Sequence, residues 1–415
     1  MIDAALLAEI RGRFAHVDAC PFQGPRVFFE NAGGALTLKT AVETSARFAA
    51  IPDNQGRDNP AAHALVDIIK QAKQSAMEWL GADGGQIFVG ESGTELLFRL
   101  IRTAVAGTEG GVLLGSTVEH PASRSAMKHW AQKLGRAYRL VAHDDALGLV
   151  TAEAYAAVVT PDTKVATILH TSPVTGMGMD VAAISTAIRA VAPDCYIIVD
   201  GIQHASHGLV DLAAADVDGY VISPYKVFSR HGYGVAWASD RLTALGPEQL
   251  DGGPSASWEF GTRDTGAYAT FQDVVDYFDW LGGQVGASAT RRGRIEDAGV
   301  AIKAHEKALT DAMLHGTGNL RGLAEMDGVH VVGGIDNPAR EGLVCFWADG
   351  VAAADIVAAL NAEGVRTHVR KADHYSSNIL TPLGQDSAVR VSMCHYNSEA
   401  EVARFLSVMA QVLKV

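Results

Sequence analysis

A chain of 415 residues with 48% hydrophobic and 20% charged residues exceeds what one core usually serves, so a large unit with a smaller one beside it is expected. Its formal net charge of -13, with no polybasic cluster, argues against nucleic acid and anionic membrane as partners. The opening MIDAALLAEIRGRF is broken by Asp3, Glu9 and Arg11 and fails as a signal peptide, and no apolar span is long enough for a membrane. Cys20, Cys195, Cys345 and Cys394 form no CxxC pair, so the expectation is a cytoplasmic protein with reduced thiols and no metal centre.

Residues 1–40 carry a short amphipathic helix, a strand at 27–29 and a tight loop at 31–34, where Gly33 and Gly34 allow close backbone approach. Asn59 before Pro60 marks a helix start, and Leu65, Ile68, Ile69, Ala72 and Ala76 recur at helical spacing. A strand at 86–89 runs into GESGTELLFRLI, where Ser92, Gly93 and Thr94 open a helix that turns Leu96, Leu97, Leu100 and Ile101 inward. Unpaired amides and the positive end of the helix dipole make such an opening a ready phosphate site. Strands at 112–114, 138–141 and 165–169 alternate with helical stretches, the pattern of a mainly parallel sheet with helices on both faces.

The most informative stretch is 195–237, with three apolar runs at 196–199, 220–222 and 234–237. The first stops at Asp200, the second at Ser223, and Lys226 follows between a Ser-Pro turn and a Gly-Tyr-Gly segment. Glu119, His120 and His170 also fall just after apolar runs, where a parallel sheet gathers its binding groups. Residues 251–268 read as a long, functional loop and 287–315 as a long helical region. Strands at 329–332, 343–347 and 389–393 belong to a second unit, closed by a helix with a Ser398/Glu401 capping box.

In family order, these segments resemble the class V aminotransferase and cysteine desulfurase family of fold-type I pyridoxal phosphate enzymes. The resemblance rests on the glycine turn before Thr94, EHPA at 119–122, VDGIQHASHGLVD at 199–211, SPYK at 223–226, FGT at 260–262 and RVSMCHYN at 390–397. It implies an α/β fold, with a mainly parallel seven-stranded sheet flanked by helices in a large domain and a smaller C-terminal α+β domain. The boundaries expected are an N-terminal segment at 1–40, a large cofactor-binding domain at 41–285 and a small domain at 286–415.

The resemblance also implies roles for single residues. Lys226 would carry pyridoxal phosphate as an internal aldimine and then act as a base, while Asp200 keeps the ring nitrogen protonated and Gln203 donates to the ring hydroxyl. His120 would stack on the ring and pass protons. Ser92, Gly93, Thr94 and Ser223 would hold the phosphate, with Thr262 reaching across from the other subunit of a homodimer with shared sites. Arg390 would clamp the substrate carboxylate, and Asn31, Arg263 and Tyr375 are further substrate contacts.

Three departures bear on function. His374-Tyr375-Ser376 stands where sulfur-mobilising members carry a nucleophilic cysteine, so a persulfide mechanism is not expected. Pro173 replaces the family's asparagine beside the cofactor, and Tyr225 and Arg263 replace a histidine and a proline. Arg263, with Arg366 and Arg370, is expected to favour a substrate bearing an additional acidic group. The resulting expectation is an enzyme acting on a small amino acid, an aminotransferase first. A carbon-sulfur or other eliminating lyase comes next, then an epimerase, and last a catalytically silent binding protein of the same fold. A nicotinamide dehydrogenase is excluded because GESGTE lacks the GxGxxG spacing.

Overall fold

The computed structural model describes residues 2–253 and 257–414, so positions 254–256 of the long loop expected at 251–268 lie outside the described residues. Seven strands form the central sheet: β1 (Gln86–Gly90), β2 (Val112–Ser116), β3 (Ala137–Val141), β4 (Thr163–Leu169), β5 (Tyr196–Asp200), β6 (Gly219–Ile222) and β7 (Gly234–Ala238). Their order is β1-β7-β6-β5-β4-β2-β3; β7 runs antiparallel to β1 and β6, and the other adjacent pairs are parallel. β2, β6 and β7 are buried at every position, the consequence of helices covering both faces of a parallel sheet, and this is why they read as continuous apolar runs.

A second sheet of four antiparallel strands, β8 (Val329–Val331), β9 (Leu343–Ala348), β10 (His368–Lys371) and β11 (Ser387–Ser392), has the order β8-β9-β11-β10. The helices Ala353–Ala362 and Glu399–Leu413 share a hydrophobic cluster with it, and the latter begins in the expected capping box, with both reciprocal Ser398/Glu401 bonds present. Val27–Phe28 of the N-terminal segment pairs in parallel with Val365–Arg366 in a separate two-stranded sheet, which ties the start of the chain to the C-terminal part.

Two expectations are corrected here. The loop ends at Asp264, whose side chain caps a helix over Thr265–Val285 by accepting from Gly266 N at 2.7 Å; a second helix, Arg291–His315, follows. Gly266, Gly282 and Gly283 with several aromatic and β-branched residues give the first helix poor intrinsic propensity, and packing supplies what the sequence lacks locally. Its Phe271 and Phe278 meet Trp79 edge-on at 5.8 and 5.6 Å between ring centroids. Strand β10 escaped the sequence reading because its HVRK carries a single apolar residue; it is held by pairing with β11. Among the described residues no helix is long and apolar enough to cross a membrane.

Candidate active site

The carboxyl ends of the parallel strands converge on a cleft lined by Thr94, His120, Leu169, Pro173, Asp200, Ile202, Gln203, Ser223, Tyr225 and Lys226. Each polar member arrives through local structure. Ser92 caps the helix Gly93–Ala106 by accepting from Glu95 N, which leaves Gly93 and Thr94 in the first turn with free amides. Gly93 sits where a Cβ would collide with Ser223 Oγ and Ile202, so only glycine lets the helix start close against the Ser223 turn. That cradle of amides and hydroxyls suits a phosphate group.

Lys226 ends a short turn after β6 and lies at the base of the cleft, where burial, with Arg390 next in weight and Arg370 behind it, pulls its amine down to about 8 despite the opposing charge of Asp200. Phe228, two residues on, is fully buried with φ at +67°, a left-handed conformation costly for an aromatic residue, and it fixes the turn against Phe14 and Phe278. Lys226 Nζ donates to Gln203 Oε1 at 3.4 Å.

Asp200 terminates β5 and is 2% exposed; it accepts from Ile202 N at 3.1 Å and from Ser123 Oγ at 3.5 Å. Burial lifts its carboxyl to about 6, with Ile202 N and Lys226 holding it back. Behind it lies Glu119, fully buried and lifted to about 8 by burial and then by Asp200. Two carboxyls so placed do not both ionise at neutral pH: Glu119 stays an acid and Asp200 carries the charge. Glu119 was visible in EHPA, but its role needs Asp200 at its side, which the sequence does not show.

His120 caps the helix Pro121–Lys133, its Nδ1 accepting from Ala122 N at 3.2 Å, and burial together with Lys226 and Arg370 lowers it to about 3. It is therefore a neutral ring with its proton on Nε2. Tyr375, exposed at the mouth, lies 5.7 Å from it between ring centroids. The Tyr375 loop docks through Arg124 Nη2 donating to His374 O at 2.8 Å.

Arg390 comes from β11 and is 3% exposed; its Nη1 donates to Pro173 O at 3.0 Å, so the proline that replaces the family's asparagine contributes its carbonyl. Arg370, two residues beyond Arg390's partner His368 on β10, hydrogen-bonds Ser376 Oγ and lies over the Tyr375 ring at 5.8 Å from its centroid, and its charge depresses Lys226, His120 and Arg390 alike. The charges of both guanidiniums act on the lysine.

Four expected site residues fall elsewhere. Asn31 spends its carboxamide on Ser392 O at 2.8 Å, on Asn397 and Phe28 O, and in accepting from Tyr396 Oη, so it is a strap between the N-terminal loop and β11 and has no group left for a substrate. Thr262 and Arg263 line a separate cleft with Phe48, Asn54 and Gln55, and Arg263 pairs with Glu91. Arg366 is paired with Glu30 at 3.0 Å, a carboxylate that also meets His368. Of the expected cationic trio only Arg370 lies close enough for its charge to act on Lys226, without lining the cleft itself.

The residues present fit pyridoxal phosphate: an amine with lowered pKa for its aldehyde, a buried carboxylate for its ring nitrogen, and a helix-start cradle for its phosphate. The sequence profile described as Aminotransferase class-V matches residues 27–405. The chain is 29% identical to a probable cysteine desulfurase of Pseudomonas putida over 359 residues, 83% of this chain and 82% of that one. In structure it resembles the cysteine desulfurase CsdA of Escherichia coli, with a TM-score of 0.79 at 22% identity over 98% of each chain. It is also similar to the apo cysteine desulfurase of Thermococcus onnurineus NA1, with a TM-score of 0.80 at 20% identity over 94% of this chain and 95% of that one. From the arrangement of the cleft and the span of the profile, the chain belongs to the class V aminotransferase family and is a pyridoxal phosphate-dependent enzyme.

Proposed function

We propose that the chain is an aminotransferase for an amino acid that carries a second acidic group, working as a homodimer. The observation that supports the substrate class is the pair of guanidiniums, Arg390 and Arg370, whose charges both act on the one lysine. Bound pyridoxal phosphate supplies an aldehyde and an electron-accepting ring. Thr94 and the amides of the first helical turn, with Ser223, would hold its phosphate; Asp200 would hold the proton on its ring nitrogen; and His120 would lie against the ring. Arg390 orients the substrate carboxylate, and Arg370, which makes hydrogen bonds to Ser376 Oγ and pairs with no carboxylate at salt-bridge distance among the described residues, takes the second anionic group. Lys226, partly unprotonated near neutral pH, takes the α-proton and returns it. Thr262 lies outside its own chain's Lys226 cleft, which supports the reading that it serves the partner's.

A second reading, a lyase that expels a substrate group without an enzyme persulfide, is favoured by the names of the relatives. Among the described residues no cysteine lines the cleft: Cys345, opposite Arg390 on β9, is fully buried with its thiol pushed up to about 11, and Tyr375 occupies the loop. One turnover with a panel of amino acids and no keto acid separates the readings. A keto acid released while its amino group stays on the protein is the expected result; ammonia with an expelled substituent would replace it by the lyase.

Arg370→Gln tests the substrate class. A charged hydrogen bond worth about 1.5–3 kcal/mol makes the expected loss in kcat/KM roughly 10- to 100-fold for acidic amino acids, with monocarboxylic ones changed by less than about 3-fold. Equal losses on both would return Arg370 to a structural role.

A further inference from the structure

Gln203 stands between Lys226 and a buried acid-base pair that none of the steps above uses. Its Oε1 accepts from Lys226 Nζ at 3.4 Å, its Nε2 lies 3.1 Å from His207 Nε2, and His207 Nδ1 lies 2.8 Å from Glu306 Oε2. Gln203, His207 and Glu306 are 3%, 2% and 1% exposed, so water does not interrupt the series. His207 follows the turn His204–Ser206 after β5, and Glu306 lies in the middle of the helix Arg291–His315. The series thus runs from the cleft floor into the seam between the large sheet and that helix.

Donor and acceptor chemistry fixes its state. A primary amide donates at one end and accepts at the other, whereas an ammonium only donates. While Lys226 is charged, Gln203 must turn Oε1 toward it and Nε2 toward His207. His207 Nε2 must then be an unprotonated acceptor, so the ring proton sits on Nδ1 and is donated to the Glu306 carboxylate. The role that the family resemblance implies for Gln203 needs the reverse, its Nε2 donating to an oxygen of the cofactor ring. A reversed amide presents Oε1 to His207, which must answer with a proton on Nε2. Because Nδ1 still faces Glu306, the His207–Glu306 pair must gain one proton, held either as an imidazolium on a carboxylate or as a carboxylic acid donating to Nδ1.

The surroundings allow that gain. Glu306 Oε1 is buried with no hydrogen-bond partner, so the carboxylate rests on one bond and is held above the usual range by burial. Burial opposes a charge on His207, Glu306 and Glu341 favour it, and the Lys226 cation opposes it. His204 and Cys394 also face the pair, and His395, held low by burial, then by His305, is lowered further by His207. When the Lys226 nitrogen is engaged by the cofactor it no longer presents an ammonium to Gln203, so the demand for Oε1 is removed.

We propose that His207, held by Glu306, is a positioning residue that sets which end of the Gln203 carboxamide faces the cofactor, its Nε2 changing from unprotonated to protonated on loading as the His207–Glu306 pair takes up one proton from the solvent. The inference rests on the reading of Lys226 as the cofactor lysine. The test is nitrogen-15 NMR of histidine-labelled full-length chain, before and after pyridoxal phosphate is added, with visible absorbance recorded on the same samples. The His207 resonances are identified by their loss in His207→Asn or, should that chain not fold, by their displacement in Gln203→Leu. Expected is an Nε2 that is unprotonated before loading and protonated after it, with no change on loading in Gln203→Leu. An Nε2 in one state throughout, in samples that do develop the absorbance, overturns the inference and leaves the reading of Lys226 intact. No absorbance in any sample overturns both.

Discussion

Lys226→Ala is expected to lower kcat by on the order of 10³-fold or more and to prevent the visible absorbance of lysine-bound cofactor, because one side chain serves as both attachment point and base. The lowered amine is central to this expectation. With a value of about 8 against an ordinary 10.5, Lys226 holds roughly 10² times more free amine near neutral pH than an unperturbed lysine would. The same shift has a signature in stability. Between about 8 and 10.5 the unfolded chain binds the lysine proton and the folded chain does not, so this group adds stability as pH rises through that window and its full penalty is present below it. The span is worth roughly 3 kcal/mol as an order of magnitude. Denaturation of the cofactor-free protein at pH 8 and pH 10, compared with Lys226→Ala, isolates it: the difference between the two proteins should shrink at the higher pH. A variant that keeps the absorbance would remove Lys226 from its role.

How much of this was legible in the sequence depends on where each residue's partners come from. Asp200, Ser223 and Lys226 each follow an apolar run within a few residues, and a parallel sheet places such positions at one edge without help from distant chain. Their meeting in one cleft with His120 and Thr94 follows from local pattern plus topology. Asn31 and Arg263 misled because what they touch is remote in sequence: Ser392 and Asn397 lie more than 350 residues from the first, and Glu91 is 172 residues from the second. A buried strap and a paired guanidinium look, in one dimension, like free polar groups. Glu119 and the His207–Glu306 pair were hidden for the same reason, since a buried carboxyl takes its meaning from the group facing it. The helix Thr265–Val285 was missed because its glycines and aromatics speak against a helix locally, while Trp79 on another helix stabilises it.

Asp200→Asn is expected to move activity and stability in opposite directions. Removing the carboxylate that holds the ring-nitrogen proton should cost on the order of 10²–10³ in kcat, the range for losing one placed electrostatic partner. The cofactor-free chain should at the same time become more stable at pH 7. Burial raises Asp200 from 3.8 to about 6, so the folded chain retains a proton there that the unfolded chain has lost; the resulting penalty is complete above about 6 and fades as pH falls toward 3.8. Two units correspond to at most about 3 kcal/mol, and because Ile202 N and Lys226 bond and balance the charge, a gain of about 1–3 kcal/mol is expected for asparagine at pH 7, vanishing near pH 4. Glu119, lifted to about 8, keeps its proton through this range and adds no second charge beside Asp200, so the pH dependence belongs to Asp200. Denaturant titrations at pH 4 and pH 7 together with steady-state rates read both effects. A carboxylate retained for folding would lose stability on removal and spare the chemistry; a variant that is less stable at pH 7, or within about tenfold of wild-type kcat, would mark Asp200 as structural and remove the partner of the ring nitrogen.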